Sequence, residues 1–307
     1  MTNVRILFVK TSSLGDVVHH CPAVSDAARA FPDAQIDWVL EESFAGIARM
    51  HASVRRVLPV ALRRWRSSLW QPSAWREMRA FRELVAAERY DAIIDTQGLL
   101  KSALVTSFAR GKRHGMDAAS ARESMAARFY DEHHAVERAM HAVERNRMLA
   151  GKALGFSPSG APVYGLKAHA SRGEYVVLLT MTSREDKLWP EASWIELARA
   201  LAAPLVLPWG SEAERARASR IADAAGNATV PSSMTMEALA GLFAGARGVI
   251  GLDTGLTHLA AALGTLTVGI YCGSDPALTG LYGAPRASNV GGAGAQPGVD
   301  EVLERFQ

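Results

Sequence analysis

The sequence predicts an α/β protein of two domains, each built around a doubly wound parallel sheet. Short apolar runs alternate with stretches whose apolar residues recur at helical spacing, a pattern typical of parallel strands joined by crossover helices. The alternation stops at a Pro-, Gly- and Ser-rich stretch, residues 157–173, and then begins again, which indicates a domain boundary. Polar loops with glycines follow several predicted strands, and doubly wound sheets bind their ligands at such loops.

The first domain is expected to comprise residues 1–160. Its predicted strands are residues 4–9, 36–40, 54–60 and 90–95. Its predicted helices are residues 17–28, 73–88, 99–109 and 132–154.

The second domain is expected to comprise residues 174–290, followed by a tail of residues 291–307 with a short helix. The predicted strands are residues 175–180, 204–207, a short one near Thr229, 248–251 and 266–271. The predicted helices are residues 191–201, 212–225, 235–244, one that follows Thr254, and 299–306. We expect the two domains to face each other, with loops 10–16 and 253–258 confronting each other across a central cleft.

Composition restricts the class of protein. Hydrophobic residues make up 49% of the chain and charged residues only 21%, which allows substantial cores and excludes a disordered chain. The two cysteines, Cys21 and Cys272, are too few for a disulfide framework and indicate a reducing compartment. Neither a signal-peptide core nor an apolar run of about 18 residues is present. We therefore expect a cytoplasmic protein, with attachment to a membrane surface left open.

Residues 249–271 predict a strand, a tight polar turn, a helix and another strand. Asp253 and Thr254 are typical of helix starts, and Gly255 leaves room for a ligand. The helix start offers backbone N–H groups and the positive end of a dipole to an anion such as a diphosphate. His258 lies one turn after Thr254, on the same side. The alternative is an ordinary connection in which Asp253 and Thr254 only cap the helix.

Three more loops after predicted strands carry groups suited to chemistry. Asp16 begins a helix and is either a general base or a helix cap. Thr182, Ser183 and Lys187 offer hydroxyl groups and a cation to a phosphate, unless their loop is merely solvated. Glu214 lies in the first turn of a helix, where a carboxylate either complements the dipole or binds ribose hydroxyls.

An arginine-rich segment lacks acidic neighbours in the sequence. From Ser43 to Arg76 there are seven arginines, including Arg55, Arg56 and the run RRWR at 63–66, but no Asp or Glu. Such a run is usually a solvated face, yet the absence of acids favours an anionic partner. Anionic lipid headgroups and an acidic sugar fit equally well. No nucleic-acid-binding motif is present.

Other common kinds of site are not predicted. The histidine pairs at 19–20 and 133–134 lack the spacing of metal ligands on one helix face, and no Cys-x-x-Cys occurs. The loop 10–16 lacks the full glycine spacing of a dinucleotide fingerprint and is no Walker loop.

Seven motifs together resemble the lipopolysaccharide heptosyltransferases. In chain order they are VKTSSLGDVVH at 9–19, LEESF at 40–44, RRWR at 63–66, DTQGLLKSAL at 95–104, DKLWP at 186–190, LPWG at 207–210 and DTGLTHLAAAL at 253–263. The match extends to about Tyr282. RRWR, with HGMD at 114–117, is more similar to the type I than to the type II members of the family.

The resemblance implies a GT-B fold of two Rossmann-like domains. It implies transfer of L-glycero-D-manno-heptose from ADP-heptose to a Kdo residue of Kdo2-lipid A, with inversion at the anomeric carbon. It implies no metal, no other cofactor and no nucleic acid. We expect such an enzyme to work at the anionic surface of the inner membrane, on its cytoplasmic face.

By the same resemblance, Asp16 is the general base and Lys187 holds the diphosphate. The residues assigned to the donor are Thr182, Ser183, Lys187, Glu214, Met234, Asp253, Thr254, Gly255 and His258, with Glu214 at the ribose and Met234 under the adenine. The residues assigned to the acidic acceptor are Arg63, Arg64, Arg66 and Arg122. Two departures from the family are Ser183, which keeps the hydroxyl of a usual Thr, and Ser67, where another basic residue is usual.

Three other functions remain open from the sequence. A type II heptosyltransferase would act on an already heptosylated core. A nicotinamide-dependent oxidoreductase would share the sheets but should carry the glycine fingerprint. A non-enzymatic binder of ADP-sugar would use the same phosphate groups without needing Asp16.

Overall fold

The computed structural model of the chain describes residues 4–306. These residues form two compact units, one that ends at Gly165 and one that begins at Leu166. The division lies inside the Pro-, Gly- and Ser-rich stretch. Each unit contains a six-stranded sheet, and every pair of neighbouring strands is parallel.

The first unit places helices around one buried parallel sheet. Its strands are β1 (Arg5–Val9), β2 (Gln35–Glu41), β3 (Val54–Val60), β4 (Arg89–Asp95), β5 (Arg110–Met116) and β6 (Glu132–His134). Its helices are α1 (Leu14–Ala30), α2 (Ala45–Met50), α3 (Leu62–Ser67), α4 (Pro72–Ala86), α5 (Leu100–Thr106) and α6 (Ala142–Leu154). The strand order is β3-β2-β1-β4-β5-β6.

The predicted helix over residues 132–154 is wrong in its first part. Residues 132–134 form β6, which pairs with β5 between His114 and Glu132, and α6 begins only at Ala142. The sequence also does not predict β5, RGKRHGM, because it is polar and only its last three residues are buried. Hydrogen bonds to β4 and β6 hold it in the sheet, so the neighbouring strands override a weak local preference.

The second unit repeats this architecture. Its strands are β7 (Val176–Leu179), β8 (Leu205–Val206), β9 (Ala228–Thr229), β10 (Gly248–Leu252), β11 (Thr267–Tyr271) and β12 (Ala287–Gly291). Its helices are α7 (Glu191–Ala200), α8 (Glu212–Ala225), α9 (Met236–Gly245), α10 (Gly255–Ala262), α11 (Pro276–Thr279) and α12 (Val299–Phe306). The strand order is β12-β11-β10-β7-β8-β9.

The last residues belong to the core of the second unit. The strand β12, which the sequence does not predict, pairs with β11, and α12 buries Val302 and Phe306 against the sheet. A Cβ at Gly248 would lie 2.4 Å from the ring of Phe306. The helix α12 therefore packs directly on β10, where only glycine fits without displacing the ring.

Both sheets have the same topology, and it fixes where ligands bind. In each unit the chain reverses its direction of winding between two central strands, β1 and β4 in the first and β7 and β10 in the second. The crevice at the carboxyl ends of such a strand pair is the usual ligand site of a doubly wound sheet. In residues 4–306, no helix combines the length and apolarity needed to cross a membrane.

Candidate active site

The carboxylate of Asp16 lies at the winding reversal of the first sheet. It accepts a hydrogen bond from the backbone N–H of Ser13 at 3.1 Å, so it caps the start of α1. It also accepts two hydrogen bonds from Arg122, at 2.6 and 3.2 Å. Burial alone would raise the pKa of Asp16, but Lys10 and Arg122 hold it well below its usual value. Asp16 is thus both a cap and an ionised group of a pocket.

A second cation, Lys10 at the end of β1, lies beneath this pair. Its ammonium group is buried, with 3% of the residue exposed, and donates to Thr96 O at 3.0 Å and to Asn146 Oδ1 at 3.4 Å. Burial lowers its pKa to about 8; Asp16 raises it and Arg122 lowers it further. Lys10, Asp16, Arg122 and Arg145 line one small pocket. A pocket with three cations and one carboxylate favours an anionic ligand.

The turn after β4 supports the pocket from the adjacent strand. The buried carboxylate of Asp95 accepts hydrogen bonds from Gln97 N at 2.8 Å and from the hydroxyl of Tyr130 at 2.8 Å. Gln97 in turn accepts one from Ser12 N. Gly98 has φ of +66°, a value that favours glycine. The motif DTQG is therefore explained by a turn that connects the ends of β1 and β4.

The run RRWR forms α3, beyond the end of β3. Trp65 is buried, and its indole donates to Glu77 at 2.9 Å. Arg64 forms ion pairs with Glu42 at 3.1 Å and Glu77 at 2.6 Å. The backbone N–H of Arg63 donates to Glu41, and its guanidinium lies 5.5 Å from the ring centroid of Phe44.

These contacts distinguish the arginines of RRWR that form ion pairs from those that do not. Arg66 has no ion pair within the described part of the chain and is exposed. Among the described residues, Arg63 and Arg66 have no carboxylate partner, although Arg63 lies over Phe44, whereas Arg64 is already paired with two carboxylates. Glu41 and Glu42 belong to LEESF, so the contacts also join two motifs of the resemblance.

The expectation that the arginine-rich segment offers its charge to an anionic partner is wrong for Arg55 and Arg56. Both bond to the buried carboxylate of Asp37 on β2, and both form ion pairs with Glu88 at 2.7 and 2.8 Å. Parallel pairing of β2 with β3 brings these groups together. The acids are distant in sequence but adjacent in the sheet, so these two arginines stabilise the fold rather than offer charge to a partner.

The second unit places Lys187 and Asp253 together at its own winding reversal. Lys187 follows β7, Asp253 follows β10, and Lys187 Nζ lies 2.6 Å from Asp253 Oδ2. The same carboxylate bonds to the hydroxyl of Ser274 and to His258 Nε2, the latter at 3.3 Å. Burial alone would raise the pKa of Asp253, but hydrogen bonds from His258, Lys187 and Ser274 hold it well below its usual value.

The start of α10 completes this cluster. Thr254 is the N-cap, and its hydroxyl accepts from Leu256 N at 3.2 Å. The hydroxyl of Thr182 donates to the backbone carbonyl of Asp253 at 3.3 Å, which joins the loop after β7 to that helix start. Ser183 is exposed. The helix start, Lys187 and the hydroxyl groups thus combine at one sheet edge, as an anion site requires.

The loops after β8 and β9 meet beside this cluster on the same sheet edge. Glu214 accepts from Gly210 N at 2.6 Å, and its own N–H donates to the N-cap Ser211. The indole of Trp209 donates to Pro231 O at 2.7 Å, which holds the loop that carries Met234 against the loop that precedes α8 and its residue Glu214. Glu214 therefore acts in the cap of α8, and its contact with a ribose stays a prediction.

The sequence patterns did not assign four polar members of these clusters to a site: Lys10, Arg145, Asn146 and Ser274. Lys10 follows a strand and precedes a glycine loop, a position that could have marked it. Arg145 and Asn146 come from α6, far along the chain, and no local signal links them to Asp16. Within residues 4–306, no group of three or more His, Cys, Asp or Glu side chains is arranged to hold a metal ion.

Known proteins are similar to this chain in sequence and in architecture. The model of glycosyltransferase family 9 (heptosyltransferase) matches residues 78–302. The chain is 46% identical over 291 residues to lipopolysaccharide heptosyltransferase 1 of Escherichia coli strain K12, covering 91% of each chain. A solved structure of E. coli heptosyltransferase WaaC with ADP is 43% identical, with a TM-score of 0.91 over 98% of both chains. Another, with ADP-2-deoxy-2-fluoro heptose, is 42% identical, with a TM-score of 0.89 over 98% of both.

Two parallel sheets of this topology, matched over 98% of the chain by a heptosyltransferase structure, define the GT-B glycosyltransferase fold. The extent of the family match and the identity to the relatives make the assignment more specific. The chain belongs to glycosyltransferase family 9, the heptosyltransferases.

The buried position of Lys10 generates the first prediction. Its ammonium group should titrate near pH 8, whereas exposed lysines titrate near pH ~10.4. NMR of protein with 13C-labelled lysine measures this, and a Lys10→Met variant identifies the resonance among the six lysines. Between about pH 8 and 10.5 the unfolded state binds the proton that folded Lys10 has released, so Lys10 adds stability as pH rises through this window. A Lys10 resonance that titrates together with the other lysines would contradict the expected burial effect.

Proposed function

We propose that this heptosyltransferase moves L-glycero-D-manno-heptose from ADP-heptose to a Kdo residue of Kdo2-lipid A, in assembly of the lipopolysaccharide inner core. The observation that carries the proposal is the pairing of Lys187 with Asp253 beside the N-terminus of α10. This cluster provides the cation, hydroxyl groups and helix dipole that a diphosphate leaving group needs. The relative whose structures contain ADP and an ADP-heptose analogue supports the choice of donor.

Donor binding would use the carboxyl edge of the second sheet. The diphosphate would take Lys187 and the hydroxyl groups of Thr182 and Ser183, together with the helix start at Thr254 and Gly255. Asp253 already holds Lys187 at 2.6 Å, so it would orient that cation, and His258 would support Asp253. Glu214, in the first turn of α8, would bind the ribose, and Met234, on the loop after β9, would lie under the adenine.

Acceptor binding would use the pocket of the first sheet. A Kdo residue carries a carboxylate, and Arg122 offers two parallel N–H groups that now bond to Asp16. We propose that the Kdo carboxylate replaces Asp16 on Arg122. The exchange would release Asp16 from its two hydrogen bonds with Arg122 and raise its pKa toward the range of a useful base.

The reaction then proceeds by direct displacement. Asp16 takes the proton of the Kdo hydroxyl while the oxygen of that hydroxyl attacks the anomeric carbon of the heptose. The bond from that carbon to the diphosphate breaks at the same time. The electron pair of that bond leaves with ADP, whose added charge Lys187 and the start of α10 stabilise. Attack opposite the leaving group inverts the anomeric centre. No metal takes part in this proposal.

The location of the acceptor sets where the enzyme works. Kdo2-lipid A is a membrane lipid with phosphate groups, so we propose that the enzyme acts at the anionic cytoplasmic face of the inner membrane. Arg63 and Arg66, which have no carboxylate partner among the described residues, would bind the acidic acceptor. Arg64 would support them through its ion pairs with Glu42 and Glu77.

The acceptor assignment is tested by a direct comparison of substrates. Purified enzyme with ADP-heptose should release ADP rapidly with Kdo2-lipid A and at a small fraction of that rate with an already heptosylated acceptor, because a pocket shaped for one acceptor rejects a bulkier one. Coupled measurement of ADP release gives both rates. A preference for the heptosylated acceptor would identify a type II enzyme instead.

The role of Asp16 is tested by two substitutions, one that removes its own charge and one that removes the charge of Arg122. Asp16→Asn should lower turnover by about 10²-fold or more while ADP binding survives. Arg122→Gln removes one of the two cations that lower the Asp16 pKa, so the acid limb of the kcat/KM pH profile should move to higher pH. Near-normal turnover of Asp16→Asn would leave Asp16 as a helix cap, and an unmoved acid limb would contradict the effect of Arg122 on the Asp16 pKa in the free enzyme.

The role of Lys187 is tested by nucleotide binding. Lys187→Met should weaken ADP binding by about 1.5–3 kcal/mol, the usual worth of a hydrogen bond to a charged group, and AMP binding by less. Ser274→Ala is the matched control because it removes another bond to Asp253 but leaves the cation. Calorimetry that finds equal ADP affinities for Lys187→Met and the native enzyme would remove Lys187 from the donor site.

A further inference from the structure

Three large apolar side chains protrude where the chain turns from α3 into α4. We call Leu69, Trp70 and Trp75 the tryptophan tip; they are 49%, 77% and 60% exposed. Of the other tryptophans, Trp38, Trp65, Trp189 and Trp194 are buried and Trp209 is half-buried. A tryptophan is rarely left in water because burying it removes a large apolar surface. Two at one turn therefore mark a surface that binds something.

The tip is held in a defined shape. The indole N–H of Trp75 donates to the backbone carbonyl of Leu69 at 2.8 Å. The N–H of Gln71 bonds to Ser68 O and that of Ala74 to Gln71 O, which connects the turn to the first turn of α4. Because the indole N–H is satisfied within the protein, the exposed part of the Trp75 ring is apolar.

Unpaired cations flank the tip along the chain. Arg66 precedes it, Arg76 follows it, and Arg82 is exposed further along α4. Within residues 4–306 none of these three forms an ion pair, whereas Arg79 is paired with Glu83. Glu77, the acid closest to the tip along the chain, is occupied by Arg64 and by the indole of Trp65. The exposed apolar side chains are thus accompanied by unpaired positive charge.

We propose that the tryptophan tip docks the enzyme on an anionic lipid bilayer, with the indoles among the lipid headgroups and Arg76 and Arg82 on their phosphates. Tryptophan favours the membrane interface because its side chain combines a large apolar ring with a polar N–H group. Arginines near an anionic surface add electrostatic attraction to the lipid phosphates. Three side chains are too few for a stable protein interface, which buries about 1,200 Å² or more. The inference rests on the proposed membrane acceptor and names the residues that reach that membrane.

The test is binding of the full chain to vesicles. We expect cosedimentation with vesicles of phosphatidylglycerol and phosphatidylethanolamine, little with phosphatidylcholine, and loss of binding as salt is added. Trp70→Ser together with Trp75→Ser should lower the partition coefficient about tenfold or more, and Arg76→Gln with Arg82→Gln should reduce it and its salt dependence. Val163→Ser, which removes an apolar side chain that is also half exposed, is the matched control and should change nothing.

Two measurements distinguish a docking surface from a damaged fold. Trp70→Ser alone leaves the bond from Trp75 to Leu69 intact and should still weaken binding severalfold. Lipids brominated near the headgroup should quench the native tryptophan fluorescence more than that of the double variant. Equal vesicle binding by the native protein and the double variant overturns the proposal, and so does a native dimer that the tryptophan changes dissociate.

A soluble acceptor without acyl chains separates this proposal from the proposed function. The double tryptophan variant should turn it over at the native rate, because the tip lies outside the proposed catalytic groups. If the native enzyme fails on this acceptor and on Kdo2-lipid A, the proposed function fails, whatever the vesicles show.

Discussion

The reversal of strand order within each sheet is the constraint on which the rest of the structure depends. Parallel strands joined by crossover helices send all their carboxyl ends to one edge, and the reversal opens a crevice between two of them. In the first sheet this edge gathers Asp16, Gln97 and Arg122; in the second it gathers Lys187, Asp253 and Ser274. These residues are far apart in sequence, and the topology of each sheet brings them to the same edge.

At each reversal a carboxylate is bonded to a cation. Asp16 holds Arg122 in one unit, and Asp253 holds Lys187 in the other. Such a pair lowers the cost of keeping charged groups partly buried and fixes the cation's direction. Under the proposed function each cation meets an anionic substrate, a carboxylate in one unit and a diphosphate in the other, so binding exchanges one anion for another.

The sequence predicted the parts of the fold that rest on local pattern. The strand at Val54–Val60 and the helices at Glu212–Ala225 and Val299–Phe306 have the predicted bounds, because apolar periodicity and helix starts are local signals. It failed for β5 and β6, whose polar residues are strands only because a neighbour pairs with them.

The site was predictable to a similar extent. The motifs identified Asp16, Lys187 and Asp253, each next to a strand end. The ion pairs of Arg55 and Arg56 with Asp37 could not be predicted from the sequence. The segment around the arginines contains no acid, but the acid that pairs with them lies on the adjacent strand, which is distant along the chain. The same limit hid Asn146, which reaches Lys10 from a helix 136 positions away.

The packing of α12 has a consequence for how the protein is made. The first unit is compact within the chain up to Gly165, and the N-terminal unit of a chain generally folds first during synthesis. The second sheet lacks Val302 and Phe306 in its core, and Trp189 lacks the Pro297 carbonyl, until those residues have left the ribosome. The turn that carries Lys187 is thus among the last parts of the chain to gain its native support, because a ribosome stalled before residue 297 would hold a second unit that lacks α12 and the Pro297 carbonyl.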